Sequence, residues 1–354
     1  MSSVFDPSRT LEQRRQAVAN LFDFVVKGNV GDKTRTPSDV IDDGPQRTLH
    51  RYTFTGTPQG APVLLVPPLG AQATCFDLHS GCSVAQHLLS QQRRTYLVDY
   101  GEIGVGERSL GLEHWIDGVV PTAVRKVSED NDGADVDLVG WCLGGLLALL
   151  TVAADPSLPV RSVAMVASPF DNSENPLADP VRKVGAVTGG RVFDSTVRAL
   201  GGVPAKLVEQ GFKAMSLPVY LKKSVTLFKH RDDREFLAHI EAVDDLMNSM
   251  LAYPGRATLQ VYHQLFQRNA LASGTFKTGE RTIDLAEVRV PVMNVAGTTD
   301  TLVPKGVAHR VGELVPNAPN VRLETAPGGH LGVLTGRSAE TTTWAYLDDF
   351  LSSN

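Results

Sequence analysis

The sequence predicts an α/β protein: a doubly wound, mostly parallel sheet that carries a helical insertion. Three observations lead there. Short apolar runs rich in β-branched residues alternate with helix-length segments from residue 50 to residue 167. Mostly helical periodicity then occupies residues 170–280. Strand patterning resumes twice beyond that block, and a helix closes the chain. Alternation of this kind builds parallel sheets, because each crossover between parallel strands needs a helix lying on one face.

The elements follow in order. Residues 8–27 place Leu11, Val18, Leu21, Phe22 and Val25 on one helical face, and the polar stretch 28–46 reads as loop. A strand pattern over 50–56 precedes a turn at Pro58–Ala61. Pro62–Val66 is short, apolar and closed by Pro67 and Pro68, as a buried parallel strand is. Helices are expected over 83–92, 112–129 and Gly144–Ala154, with strands at Thr95–Val98, Val136–Val139 and Ser162–Ala167 between and after them. The helical block is broken at Pro180, Gly189–Gly190, Gly201–Gly202, Pro218 and Pro254–Gly255. Val290–Val295 and Val321–Glu324 are the returning strands, and 338–352 the last helix. The expected division is an N-terminal helix and loop (1–46), a core (47–170 and 281–354) and a helical cap (171–280). The cap belongs over the sheet's C-terminal edge, where open α/β sheets bind ligands.

A chain of 354 residues, 42% hydrophobic and 21% charged, is long enough to bury a large core. A net charge of −5 argues against nucleic acid as a partner, since phosphate binding needs a basic field. Three cysteines, an odd number in a long chain, argue against a disulfide framework and for a reducing compartment. The first residues lack the apolar core of a signal peptide. The apolar run Leu138–Ala154 falls short of the roughly 20 residues of a bilayer span and is interrupted by glycine. The expectation is a cytoplasmic protein with no transmembrane segment.

The chemistry is concentrated in Gly140-Trp141-Cys142-Leu143-Gly144-Gly145, which joins a strand to a helix. This is the setting of a nucleophile elbow, G-x-S-x-G, with cysteine in place of serine. Gly140, Gly144 and Gly145 suit a turn so tight that neighbouring Cβ atoms would collide with the strand or helix. Asp300 follows one later strand and His330 follows the next, both at the same sheet edge as Cys142. The chain order nucleophile, acid, histidine matches a triad in which Asp300 orients His330 and His330 deprotonates Cys142. Leu143 is expected to give one oxyanion-hole N–H and Leu69 the other, being the first residue after Pro67 and Pro68 that has one; Gly70 is the next choice. His50, His87, His230 and His239 read as solvated, and Cys75 and Cys82 as packing residues. No zinc spacing, P-loop or dinucleotide fingerprint is present, so no metal and no cofactor are expected.

These residues resemble the polyhydroxyalkanoate synthases, in particular the short catalytic subunit of the class III enzymes, over about residues 60–340. The likeness rests on Pro67-Pro68 with Asp77-Leu78 and Ser83-Val84, on Leu97 to Gly101, and on LGLEHWIDG from Leu110 to Gly118. It continues with GWCLGG, Asn269-Ala270-Leu271 with Gly274, Ile283-Asp284-Leu285, Asp300 to Pro304, and Gly329 to Val333. The chain departs from the pattern at Thr301 and Tyr100, where family members commonly carry histidine and often tryptophan. GWCLGG is also similar to the box of dienelactone hydrolases, but there the acid follows sooner and no large cap intervenes.

The resemblance implies an α/β-hydrolase fold and an acyltransferase. Cys142 would accept a 3-hydroxyacyl group from a CoA thioester, His330 would act as base and Asp300 as its partner. The acyl group would then pass to the hydroxyl of another unit, deprotonated by His330 or with help from Asp300. Cysteine suits this chemistry because thioester exchange keeps the acyl group activated, and a cap limits water. CoA enters as substrate rather than cofactor, and a slight excess of basic residues over 171–280 is compatible with its phosphates. The likeness makes a homodimer, a second synthase subunit, or association with a polyester granule or lipid surface plausible partners. The competing readings are a cysteine-dependent esterase, lipase or thioesterase with the same triad, and a non-catalytic acyl-binding relative.

Overall fold

The computed structural model describes residues 10–215, 217–279 and 281–354. Its central sheet has the strands β1 (Ser38–Gly44), β2 (Arg47–Tyr52), β3 (Val63–Val66), β4 (Thr95–Asp99), β5 (Val136–Trp141), β6 (Val160–Val166), β7 (Val292–Gly297) and β8 (Val321–Ala326). They lie in the order β1-β2-β4-β3-β5-β6-β7-β8. The β1–β2 and β2–β4 pairs are antiparallel and every later pair is parallel. The doubly wound sheet expected from the sequence is therefore present, with an antiparallel edge.

That edge corrects the reading of 28–46 as loop. Ser38–Gly44, SDVIDDG, pairs with β2 across a tight turn. It shows no apolar run because an edge strand in water is safest when charged. The inner strands do follow the expected pattern, since both faces of the sheet are covered. Leu64 and Val66 of β3 pack into one core while Val63 and Leu65 pack into the other; Leu138 and Val139 of β5 divide the same way. The two cores are thus a direct readout of the two-residue strand period.

Helices α1 (Leu11–Phe22), α2 (Val84–Ser90), α3 (Val120–Glu129) and α4 (Leu143–Ala154) come next in chain order. In α4, every residue from Leu143 to Ala153 is buried, which explains its membrane-like composition. Among the described residues no helix is long and apolar enough to cross a membrane. The α1 helix starts with a capping box between Thr10 and Gln13 and is continued by a π-helical turn, Asp23–Lys27. Residues 8 and 9 of the expected helix lie outside the described residues. The apolar face of α1 does not face the protein: Leu11, Val18, Phe22 and Val25 are exposed, while Ala17 and Asn20 are buried. Asn20 Nδ2 donates to the Arg231 carbonyl at 3.1 Å, so a polar contact sets how α1 lies.

Between β6 and β7 come α5 (Ala178–Thr188), α6 (Arg191–Leu200), α7 (Ala205–Met215), α8 (Leu217–Lys229), α9 (Arg234–Asn248) and α10 (Gly255–Val261). The pattern of Gly and Pro breaks anticipates these boundaries. A short hairpin, Thr275–Thr278 with Arg281–Asp284, then leads back to β7, where helix had been expected up to 280. The base of the insertion is clasped by Asn269. Its Nδ2 donates to Asp171 at 2.7 Å and to Ser173 Oγ at 2.9 Å, and its Oδ1 accepts from the Asn172 N–H at 2.9 Å.

Candidate active site

Cys142 stands between β5 and α4 with φ 54° and ψ −124°, a region side chains rarely occupy. Such a turn projects the thiol out of the sheet's C-terminal edge. It also forces close backbone approach, and the three elbow glycines are where that happens. A Cβ on Gly140 would overlap the backbone of Gly144 and Gly145; one on Gly144 would overlap the Val66 carbonyl and Pro67. One on Gly145 would collide with Ser168 Oγ, which donates to the Cys142 carbonyl at 2.7 Å.

Asp300 follows β7 and is buried. Its Oδ1 accepts the backbone N–H groups of Leu302 and Val303, both at 2.9 Å. Its Oδ2 accepts from His330 Nδ1 at 2.8 Å, which leaves the other ring nitrogen, Nε2, buried without an aligned partner among the described residues. The charge that acts on the ring from the other side is the Cys142 sulfur. Burial alone would lower the His330 pKa. The Cys142 sulfur and the Asp300 carboxylate outweigh it, and the imidazole is pushed from 6.5 up to about 10. That arrangement favours a protonated imidazolium at His330 beside the Cys142 sulfur.

The structure thus brings Cys142, His330 and Asp300 together. Leu69 is buried and lines the same cavity as Cys142, while Leu143 is the first residue of α4 and packs its side chain into the core. A helix's first N–H groups lack intrahelical acceptors, so the Leu143 amide has the chemistry of an oxyanion donor. The cavity has a volume of about 430 Å³. Its floor is Pro68, Leu69, Trp141, Cys142 and His330; its roof is Phe212, Ile240, Val243, Met247, Met250 and Tyr253 of the insertion. Lys223 also lines it, but its ammonium is paired with Asp244.

Some residues support the site in roles that carried no sequence signal. Trp141 Nε1 donates to the His330 carbonyl at 3.1 Å and its ring lies 5.4 Å from the imidazole, so it braces the histidine loop. Tyr253 lies over Gly70, where any Cβ would overlap its ring, and Leu251 N–H donates to the Gly70 carbonyl at 2.8 Å. Burial, then the Cys142 charge, raise the Tyr253 pKa, keeping the phenol protonated. Two histidines are not solvated as expected: His87 pairs with Asp348 at 2.9 Å, and half-buried His239 adjoins His79 and Cys82. Cys82, expected as a packing residue, has His79 three residues before it in the sequence, and folding adds His239 beside it. Cys75, Cys82 and Cys142 are all free thiols.

Comparison with known proteins agrees with this fold. The alpha/beta hydrolase fold family matches residues 61–337, and the chain belongs to that family. It is 24% identical over 369 residues to "Poly(3-hydroxyalkanoate) polymerase subunit PhaC" of Haloferax mediterranei, covering 98% of this chain and 70% of that protein. It is 25% identical over 335 residues to the PhaC subunit of Thiocystis violacea, covering 90% of this chain and 92% of the other. Among solved structures, mouse alpha/beta hydrolase domain-containing protein 10 is similar in fold, with a TM-score of 0.51 at 14% identity, covering 90% of this chain and 99% of that one. The relatives bear out the resemblance to polyhydroxyalkanoate synthases and the expectation of an enzyme in the acyltransferase class.

Proposed function

We propose that this chain is a polyester-forming acyltransferase that works through an acyl-Cys142 intermediate. The observation that carries the reading is a cysteine elbow beside a His330–Asp300 pair 2.8 Å apart, on the floor of a largely apolar cavity of about 430 Å³ under a helical roof. The PhaC relatives point to 3-hydroxyacyl-CoA as the substrate class.

The Cys142 thiolate attacks the thioester carbonyl and forms a tetrahedral oxyanion, which the Leu143 amide and an amide from Leu69 or Gly70 stabilise. One such donor contributes about 3 kcal/mol to the transition state. Collapse breaks the carbon–sulfur bond to CoA, and His330 supplies the proton that CoA takes away. A hydroxyl from a second hydroxyacyl unit then enters. His330 takes its proton, the alkoxide attacks the acyl-Cys142 carbonyl, and an ester forms as the thiolate leaves. Asp300 keeps the His330 ring oriented with Nε2 toward the sulfur throughout. The roof favours hydroxyacyl groups over water, because its lining is apolar and the acceptor must be held beside the thioester.

The experiment is a product assay on purified protein with 3-hydroxybutyryl-CoA. The expected result is CoA release with insoluble polyester, and loss of both in Cys142→Ala. Release of CoA with free hydroxy acid alone would establish a hydrolase, the other reading of the same triad. A covalent acyl group on Cys142 in the wild type, seen by mass spectrometry and absent in Cys142→Ala, tests the intermediate separately.

A further inference from the structure

A second cluster of chemically competent side chains lies apart from Cys142. Asp77–His79 and Cys82–Ser83 form a short antiparallel hairpin in the core, and helix α9 of the insertion packs against it. His79, Cys82 and His239 each present a ligand atom there, all within 4.8 Å of one another. His79 and Cys82 are buried, and a small pocket of about 70 Å³ opens beside them.

The bland account is that these are packed polar residues with satisfied hydrogen bonds. It holds for Cys82, whose Sγ donates to the Thr335 carbonyl at 3.0 Å. It fails for His79. That side chain is 4% exposed, yet its Nε2 has no hydrogen-bond partner among the described residues. Leaving a buried polar atom unpaired costs about 1–3 kcal/mol. The other ring nitrogen, Nδ1, lies 2.6 Å from the Ser80 carbonyl and donates its hydrogen to it. That contact fixes the tautomer and leaves a lone pair on Nε2, the arrangement that metal-binding histidines use. A His79 ring nitrogen is grouped with the Cys82 sulfur and a ring nitrogen of His239, and with Nδ1 engaged by Ser80, Nε2 is the one free to bind.

We propose that His79 Nε2, Cys82 Sγ and a ring nitrogen of His239 bind one borderline divalent cation of the zinc type, stapling the core hairpin to helix α9. Nitrogen and thiolate donors select zinc-like ions over calcium or magnesium. Tetrahedral bonds of about 2.0–2.3 Å put ligand atoms roughly 3.3–3.8 Å apart, within reach of small rotations from the present arrangement. Glu235 lies one helical turn before His239 and also lines the pocket, so a carboxylate or a water completes the fourth position. Binding forms a metal–sulfur bond, breaks the Cys82 S–H bond and releases that proton to solvent; no electron is transferred.

The staple joins two parts of the molecule that the sequence keeps far apart. Ile240, the residue after His239, lines the roof of the large cavity, and Thr335, which Cys82 contacts, follows His330 by one short helical turn. Metal binding replaces the Cys82 S–H donation to Thr335, so a bound ion fixes the roof relative to the core hairpin rather than to the histidine loop. This inference stands whether or not the polyester reading does.

The test is cobalt(II) titration of metal-stripped full-length Cys142→Ala protein, which removes the half-exposed thiol from the assay. The expected result is one equivalent bound with tetrahedral visible bands and a thiolate-to-cobalt absorption in the near ultraviolet, displaced by zinc. The thiolate absorption is lost in Cys82→Ser, and affinity falls by at least about tenfold in His239→Gln. Zinc alone raises the Tm of the wild type and not of the Cys82→Ser/His239→Gln double variant. Failure of cobalt to give a thiolate absorption, or the same absorption in folded Cys82→Ser protein, overturns the proposal. So does an equal zinc-induced Tm shift in wild type and double variant.

Discussion

At the scale of single residues the elbow imposes the strictest demands. Gly144 faces the Val66 carbonyl and Pro67, whereas Gly118 has nothing within 4 Å of where its Cβ would stand. Gly144→Ala is therefore expected to destabilise by about 1–3 kcal/mol through overpacking. Gly118→Ala should be neutral or slightly stabilising, by up to about 1 kcal/mol. Urea denaturation of the two variants checks the contrast. The His330 proton gives a second prediction. A pKa raised from 6.5 to about 10 in the folded state means that the folded chain holds this proton more tightly. The resulting stability is fully present below pH 6.5 and fades as pH rises toward 10. Because the Cys142 sulfur is the largest cause raising this pKa, Cys142→Ala should lower the His330 titration midpoint, measured by NMR. An unchanged midpoint would mean that the sulfur does not face the ring. Cys142, Asp300 and His330 were legible in the sequence because each sits at a strand end in a recognisable chain order. The bracing roles of Trp141, which stands inside the elbow motif, and of Tyr253 were not, since such contacts leave no signature of their own.

Among the elements, α1 and α9 make an instructive pair. Both have apolar residues at helical spacing, but α1 exposes its stripe while α9 buries Leu237 completely, in one cluster with Val30 and Ala238. Val18→Ser in α1 should change stability by no more than about 0.5 kcal/mol, as exposed substitutions usually do. Leu237→Ala should cost about 2–5 kcal/mol. Thermal melts of the two variants compare them directly. Periodicity shows that a helix has an apolar face; it does not show what that face meets. The same limit hid β1, where the acidic run SDVIDDG looks like loop until β2 supplies its hydrogen-bonding partner. The inner strands β3, β5, β6 and β7 were readable because burial on both faces demands unbroken apolar runs.

For the whole molecule, the insertion turns the sheet edge into a roofed chamber. Val243 and Met247 face that chamber from α9. Val243→Phe takes up space in it, so kcat/KM should fall more for long acyl-CoA substrates than for 3-hydroxybutyryl-CoA, measured as a ratio across chain lengths. Equal loss at every length would mean that acyl groups do not extend toward α9. The position of the insertion was legible in the sequence, since Gly and Pro breaks mark the helix ends. The shape of the chamber was not, because it depends on how several separately predictable helices lean on one another.

The Asn269 side chain holds residues 171–173 by three hydrogen bonds, to Asp171, to Ser173 and from the Asn172 N–H, and Asn172 Nδ2 in turn donates to the Leu265 carbonyl at 3.2 Å. A segment tied off at its base in this way behaves as a cassette. Its two ends are held in register by residues of the cassette itself, 171–173 at one end and Asn269 near the other. Exchange of the segment between family members should therefore succeed when the Asn269 knot is carried along with it, and give misassembled chimaeras when the cut falls inside the knot.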